Sequence, residues 1–119
     1  MKLPNLENAV VSKGKILDYL LANTSKSARA KAGFFSRFGF TRDDWRVLRR
    51  ALLHHGQSYE VESVENDAFG ARYTIIGELN CPDARRPIVK AVWIIDQGLD
   101  VPRLITAYPL RRRKNDQGA

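Results

Sequence analysis

The 119 residues contain a single cysteine, Cys81, so no disulfide can close within the chain and no cysteine zinc cluster can form. That fits a reducing compartment, and the neighbours Asn80 and Pro82 place the thiol in a turn with no activating cluster around it. Histidine is almost as scarce. His54 and His55 are adjacent, point in different directions on a helix, and lack the Glu and downstream His of a zinc-protease helix. No metal is expected there; in a last helical turn the pair would instead place partial positive charge at the carbonyl end. A glycine-rich phosphate loop, a dinucleotide fingerprint and a serine elbow are all missing, so no cofactor is expected either. Nor does any apolar run approach the roughly 18 residues of a membrane span, and the opening MKLPNLENAVV has no apolar signal core. These absences predict a cytoplasmic protein that does not engage a membrane.

What the chain has in excess is positive charge: 20 Lys and Arg against 13 Asp and Glu, a net +7. Such a balance favours a polyanionic partner such as RNA, DNA, an acidic protein or an anionic membrane surface, and charge alone does not choose among them. Part of the excess sits in the run Arg111, Arg112, Arg113, Lys114, which has no apolar periodicity and reads, with residues 111–119, as a solubilising tail. The hydrophobic share of 44% belongs to a globular chain, and the length suits one domain over residues 1–110.

Helical periodicity fills the first half. Ser12 can cap KGKILDYLLAN, in which Ile16, Leu17, Leu20 and Leu21 recur on one buried stripe. A second helix is expected from about Ser25 to Phe38, with its three phenylalanines inward and Gly39 as terminator. Thr41 and Asp44 resemble a capping box ahead of RDDWRVLRRALLHHG, with Trp45, Leu48 and Leu52 on one face and Arg42, Arg46 and Arg49 on another. After Gly56 the pattern changes to strands: SYEVESV, a turn ENDAFG, ARYTIIGEL, IVKAVWIID and RLITAYP. Helices grouped ahead of strands predict an α+β fold, three helices packed on one face of a four-stranded antiparallel sheet.

With metal and cofactor chemistry without support, what remains is cationic and hydroxyl chemistry. RNA cleavage by attack of its own 2′-hydroxyl fits such an inventory, because it requires only a base, an acid and cations that stabilise charge on the phosphate. The segment SKSARAKAGFF carries three cations. Arg29 and Lys31 are two residues apart and diverge by about 160° on a continuous helix, so both join one site only if a helix begins between them. Lys31 lies three after Ala28 and four before Phe35, a partly apolar setting of the kind that lowers an amine's pKa, although a snorkelling side chain suits that position as well. In RLITAYP, strict alternation puts Leu104, Thr106 and Tyr108 on one face and Arg103, Ile105 and Ala107 on the other, so Arg103 and Thr106 meet only if a bulge intervenes. Arg72 and Tyr73 form a further candidate group, either a phosphate clamp with a base-stacking ring or a cross-strand pair beside a turn.

The frame KILDYLLANTSKSARAKAGFFSRFGFTRDDWRVLRRALL, then FGARYTIIGEL, then VWIIDQGLDVPRLITAYP, resembles an uncharacterised bacterial domain-of-unknown-function family found alone and at the ends of polymorphic toxins. The likeness spans residues 3 to 109. That family is similar to the barnase, EndoU, colicin and RelE class of metal-independent ribonucleases. The resemblance implies a ribonuclease toxin, RNA as substrate and, beside it, a small acidic or β-rich antitoxin protein as partner. It assigns base or charge stabilisation to Lys31, phosphate binding to Arg29 or Arg72, orientation of the phosphate or of Lys31 to Thr106, and base stacking to Tyr108 or Tyr73. Lys31 and Ala32 match the family's K-A, whereas Ser25 stands where a histidine is usual and Ala28 where a glycine is. A serine does not accept a proton usefully without an activating base, so Ser25 is left with helix capping or substrate contact. Either Lys and Arg carry the proton transfer in the RelE manner, or the chain is a non-catalytic module that binds RNA or protein. An immunity protein is the third reading, which the positive charge disfavours.

Overall fold

A computed structural model of the chain describes residues 1–21 and 33–110. The α+β expectation holds: helices precede a four-stranded antiparallel meander in the order β1-β2-β3-β4. The strands are β1 Val61–Asp67, β2 Gly70–Glu78, β3 Ile88–Asp96 and β4 Arg103–Pro109. The last two coincide with the apolar runs IVKAVWIID and RLITAYP.

Helix α1 begins as an α-helical turn at Lys13–Lys15, where Ser12 Oγ accepts from Lys15 N–H at 3.0 Å, the cap its hydroxyl predicts. It continues as a π-helix over Ile16–Leu20, closed by Leu21 N–H on Ile16 O at 2.7 Å. Arg42 then donates to Leu17 O at 2.6 Å and to Leu21 O at 3.1 Å, occupying carbonyls that the helix end leaves open. This Arg is a structural cap rather than part of a free cationic stripe.

Residues 33–37 are helical, designated α2, and most of the second predicted helix lies outside the described residues. Its end is a Schellman motif: Phe40 N–H bonds Phe35 O at 3.2 Å and Gly39 N–H bonds Ser36 O at 3.0 Å. Gly39 takes φ +99°, which a side chain would strain, and the Phe35 and Phe40 rings meet edge to face across the turn.

Helix α3, Trp45–Ser58, starts later and ends later than its sequence pattern suggests. Thr41 Oγ1 accepts from Asp44 N–H at 3.1 Å, but this closes a turn in front of the helix and not its first turn. At the other end Ser58 belongs to the helix, so β1 begins at Val61 and runs on through Asn66 and Asp67, leaving only Ala68 and Phe69 between β1 and β2. Trp45, Leu48 and Leu52 are buried as expected.

Register partners share a sheet face, and faces alternate along a strand. One face carries Tyr73, Ile75 and Gly77 from β2, Val89, Ala91 and Trp93 from β3, and Leu104 and Ala107 from β4. Ile75, Val89, Ala91, Trp93, Leu104 and Ala107 from this face form one core with Ile16, Leu20, Phe35, Phe40, Leu48 and Leu52 of the helical layer. His55 of α3 is buried among them, its Nε2–H shared between Val89 O at 2.9 Å and Gly77 O at 3.2 Å. The first residues of the chain lie along both sheet edges, Val61 N–H donating to Met1 O at 2.7 Å and Leu104 N–H to Val10 O at 3.0 Å. Among the described residues no helix is long and apolar enough to cross a membrane.

Close approach of α3 to β2 depends on Gly77. A Cβ there would overlap the Tyr59 ring, which is itself held by its hydroxyl on Glu78 O at 3.1 Å and by edge contact with His55. Gly77→Ala is therefore expected to destabilise the fold by about 1–3 kcal/mol through overpacking, read as a lower urea midpoint with an unchanged m-value.

Candidate functional site on the open sheet face

The opposite face of the sheet is built in rows. Arg72, Ile94 and Arg103 form one row across β2, β3 and β4; Thr74, Val92 and Thr106 form the next; Ile76, Lys90 and Tyr108 form the third. Successive rows are about 7 Å apart, two residues along a strand.

The row containing Thr106 exists because β4 has a bulge. Trp93 pairs with Leu104 and Val92 pairs with Thr106, so Ile105 is the extra residue. Strict alternation groups Leu104 with Thr106 and separates both from Arg103. The bulge reverses this: Leu104 joins Ala107 in the core, while Arg103, Thr106 and Tyr108 come to the same open face. The condition under which Arg103 and Thr106 share a site is thus met.

Thr106 Oγ1 is hydrogen-bonded to the Tyr19 hydroxyl at 3.1 Å, which ties α1 to this face of β4. Lys15 Nζ stands 4.7 Å from the centre of the Tyr19 ring, and Lys90 Nζ stands 5.7 Å from that of Tyr108. Both are cation–π contacts, and the second places an ammonium and an aromatic face side by side in the third row.

Arg72 reaches the same face and is ion-paired with Asp67 at the end of β1. Arg103 grips Asp96 with Nε at 2.8 Å and Nη2 at 3.0 Å, a two-point pair that holds its guanidinium flat. The arginines hold the Asp67 and Asp96 carboxyls below the usual carboxylate range, first by direct hydrogen bonding. Between them lies a cavity of about 390 Å³ lined by Phe69, Arg72, Ile94, Asp96, Arg103 and Ile105.

Of the sequence candidates, Thr106, Tyr108 and Arg72 are brought to one face. Tyr73 is not: it pairs with Trp93 and packs against the core on the helical side. Arg29, Lys31 and Ser25 lie outside the described residues. Sequence reasoning passed over three residues of this face. Lys90 is the lone cation in an otherwise apolar strand, Phe69 is a large aromatic inside a turn, and Tyr19 lies off the Ile16–Leu20 stripe; each was a visible anomaly.

Two other readings resolve structurally. Cys81 donates to Leu79 O at 3.4 Å, and burial, then Asp83, pushes its thiol up to about 11, so it is protonated and unreactive at neutral pH. His55 does not carry charge at the helix end as its position suggests. Burial, above all, holds its pKa below the ordinary 6.5. Arg46 and Arg49 on α3 are exposed, as a solvated face predicts, and their guanidiniums lie 4.6 and 5.4 Å from the Trp45 ring centre, with Lys13 Nζ at 5.5 Å.

The sequence pattern of DUF6883, a domain of unknown function, matches residues 2–111. No curated protein matches the chain in sequence. Among solved structures the chain is similar to one chain of a contact-dependent growth inhibition toxin–immunity protein complex from Klebsiella pneumoniae 342, with a TM-score of 0.69 at 18% identity. The match covers 85% of this chain and 99% of that one, and at this identity the likeness is one of fold.

Proposed function

The chain belongs to the DUF6883 family of domains of unknown function, and on that footing we propose that it is a toxin-type endoribonuclease of the barnase, EndoU, colicin and RelE class. The observation that carries the proposal is the β4 bulge, which brings Thr106, Tyr108 and Arg103 to the same sheet face as Arg72 and Lys90, opposite the face packed on the helical layer. The fold likeness to a chain of a toxin–immunity complex and the net charge of +7 support it from two further directions.

In this reading the neutral amine of Lys31 takes the proton of a ribose 2′-hydroxyl. The 2′-oxygen bonds to phosphorus as the P–O5′ bond breaks, and the departing 5′-oxygen takes a proton from solvent water, to which the Lys31 ammonium returns its own, giving a 2′,3′-cyclic phosphate and a 5′-hydroxyl. No metal is needed for this balance. Arg29 binds the phosphate, since Arg72 is ion-paired with Asp67, and Thr106, held by Tyr19, orients it. Base stacking falls to Tyr108, because Tyr73 faces the core. A protein partner of acidic surface would neutralise the same face and act as antitoxin.

Tightly controlled expression is expected to arrest growth and fragment cellular RNA. The purified protein is expected to cut RNA in EDTA, leaving 2′,3′-cyclic phosphate ends. Unimpaired growth with intact RNA would sink the nuclease reading. RNA affinity falling log-linearly with salt, without cleavage, would then identify the non-catalytic binding module.

A further inference from the structure

The cavity between Phe69 and Arg103 has a composition that the cleavage chemistry does not use. Its floor is apolar, Ile94 being 3% exposed, with Ile105 beside it. Its edge carries Phe69, a residue 71% exposed although its backbone is fixed on both sides. Phe69 N–H donates to Asp67 Oδ1 at 2.8 Å, and Gln97 N–H donates to Phe69 O at 2.9 Å. An aromatic ring held out on a pinned backbone is a preorganised stacking platform, with little ordering left to do on binding.

Charge decides what such a platform would hold. Each cavity arginine is matched by an aspartate, Arg72 by Asp67 and Arg103 by Asp96, so the local charge is close to balanced and attraction for a phosphate is weak. Each guanidinium nevertheless has five N–H donors, more than its aspartate takes up. Apolar floor, exposed ring, fixed donors and an adjacent carboxylate acceptor match a planar, polar-edged heterocycle. We infer that this cavity is a nucleobase subsite, in which a base of single-stranded RNA stacks on Phe69 and is read at its edge by Arg72 and Arg103.

The inference rests on the ribonuclease reading for its place in the reaction. The Arg72–Ile94–Arg103 row lies one row, about 7 Å, from Thr106, so the base held here belongs to a nucleotide neighbouring the one whose phosphate reacts. Arginine donors favour a base edge rich in acceptors, of which guanine O6 and N7 are the best matched.

The test compares wild type, Phe69→Ala and Phe69→Trp for binding of a short single-stranded RNA and of an abasic ribose-phosphate oligomer of the same length. Phe69→Ala is expected to weaken RNA binding about 5- to 150-fold with an unchanged salt slope and melting temperature, and Phe69→Trp to restore it. The abasic oligomer should bind all three equally. Equal RNA affinity of wild type and Phe69→Ala would overturn the subsite, and is also the result expected if this surface serves a protein partner. Should wild type bind no RNA at all, the ribonuclease reading fails by itself, and titration with guanosine monophosphate decides the subsite separately. Shifts of the Ile94 and Ile105 methyl resonances would sustain it; their absence would overturn it.

Discussion

Purified Lys31→Ala protein is expected to cleave single-stranded RNA about 10² to 10⁴ times more slowly than wild type, the range that a positioned proton acceptor contributes. A free amine titrates near 10.4 and is almost wholly charged at neutral pH, so Lys31 acts as a base only if its surroundings lower that value. The sequence spacing, with Ala28 three before and Phe35 four after, predicts the partly apolar setting such a shift requires. Lys31→Arg separates the two roles assigned to this position. Arginine keeps the charge and cannot serve as base, so recovery of the rate by Arg would show that Lys31 stabilises phosphate charge, whereas a rate as low as that of Ala would show that it moves the proton. Binding affinity is the control. If Lys31→Ala leaves both the rate and the RNA affinity at wild-type values, Lys31 has no part in the site and the assignment fails.

The elements with strong apolar signals were legible in the sequence, and those whose geometry departs from an ideal period were not. IVKAVWIID and RLITAYP are apolar runs bounded by turn residues, so their limits agree with β3 and β4. β1 could not be placed the same way. After Val61 all its residues are exposed, so no burial alternation marks it, and Tyr59 and Ser58 read as strand although α3 continues through Ser58. The π-helical turn in α1 leaves no trace, because Ile16 and Leu20 keep the spacing of an ordinary helix.

The β4 bulge is the costliest of these silent departures for function. Nothing in Leu104-Ile105-Thr106, neither glycine nor proline, announces an extra residue, yet it decides which side chains face the open surface. Strict period-two counting is right on either side of Ile105 and wrong across it. Arg103 thereby becomes a neighbour of Thr106, and Leu104 a core residue. The pair Arg72 and Tyr73 shows the converse. Adjacent positions in an unbulged strand lie on opposite faces, so only Arg72 reaches the candidate site.

Folding stability is expected to be flat from about pH 8 to pH 6.5 and to fall as the pH drops below that, through the buried ring of His55. Its Nε2–H is committed to the Gly77 and Val89 carbonyls, and Nδ1 is buried with no hydrogen-bond partner among the described residues, which offer a second proton no acceptor. Burial is the main cause of its lowered pKa; the two carbonyls oppose it, and the nearby His54 lowers it further. The folded pKa is thus below the unfolded value of 6.5, and between the two the unfolded chain binds more protons. Stability is therefore fully present above the unfolded pKa and is lost, at up to about 1.4 kcal/mol per pH unit, until the folded pKa is reached. The paired carboxylates Asp67, Asp83, Asp96 and Glu60 also have lowered values and act in the same direction, but from ordinary values of 3.8 to 4.5, so their losses begin at a lower pH than that of His55. His55→Ala removes a fully buried ring and its bond to two strand carbonyls, and is expected to cost about 3 kcal/mol at neutral pH. Urea midpoints measured from pH 8 to pH 5 check both effects. Wild type should lose stability below pH 6.5 while the substituted protein, already weaker, shows no such slope in that window; parallel curves for the two would mean that another group carries the acid sensitivity.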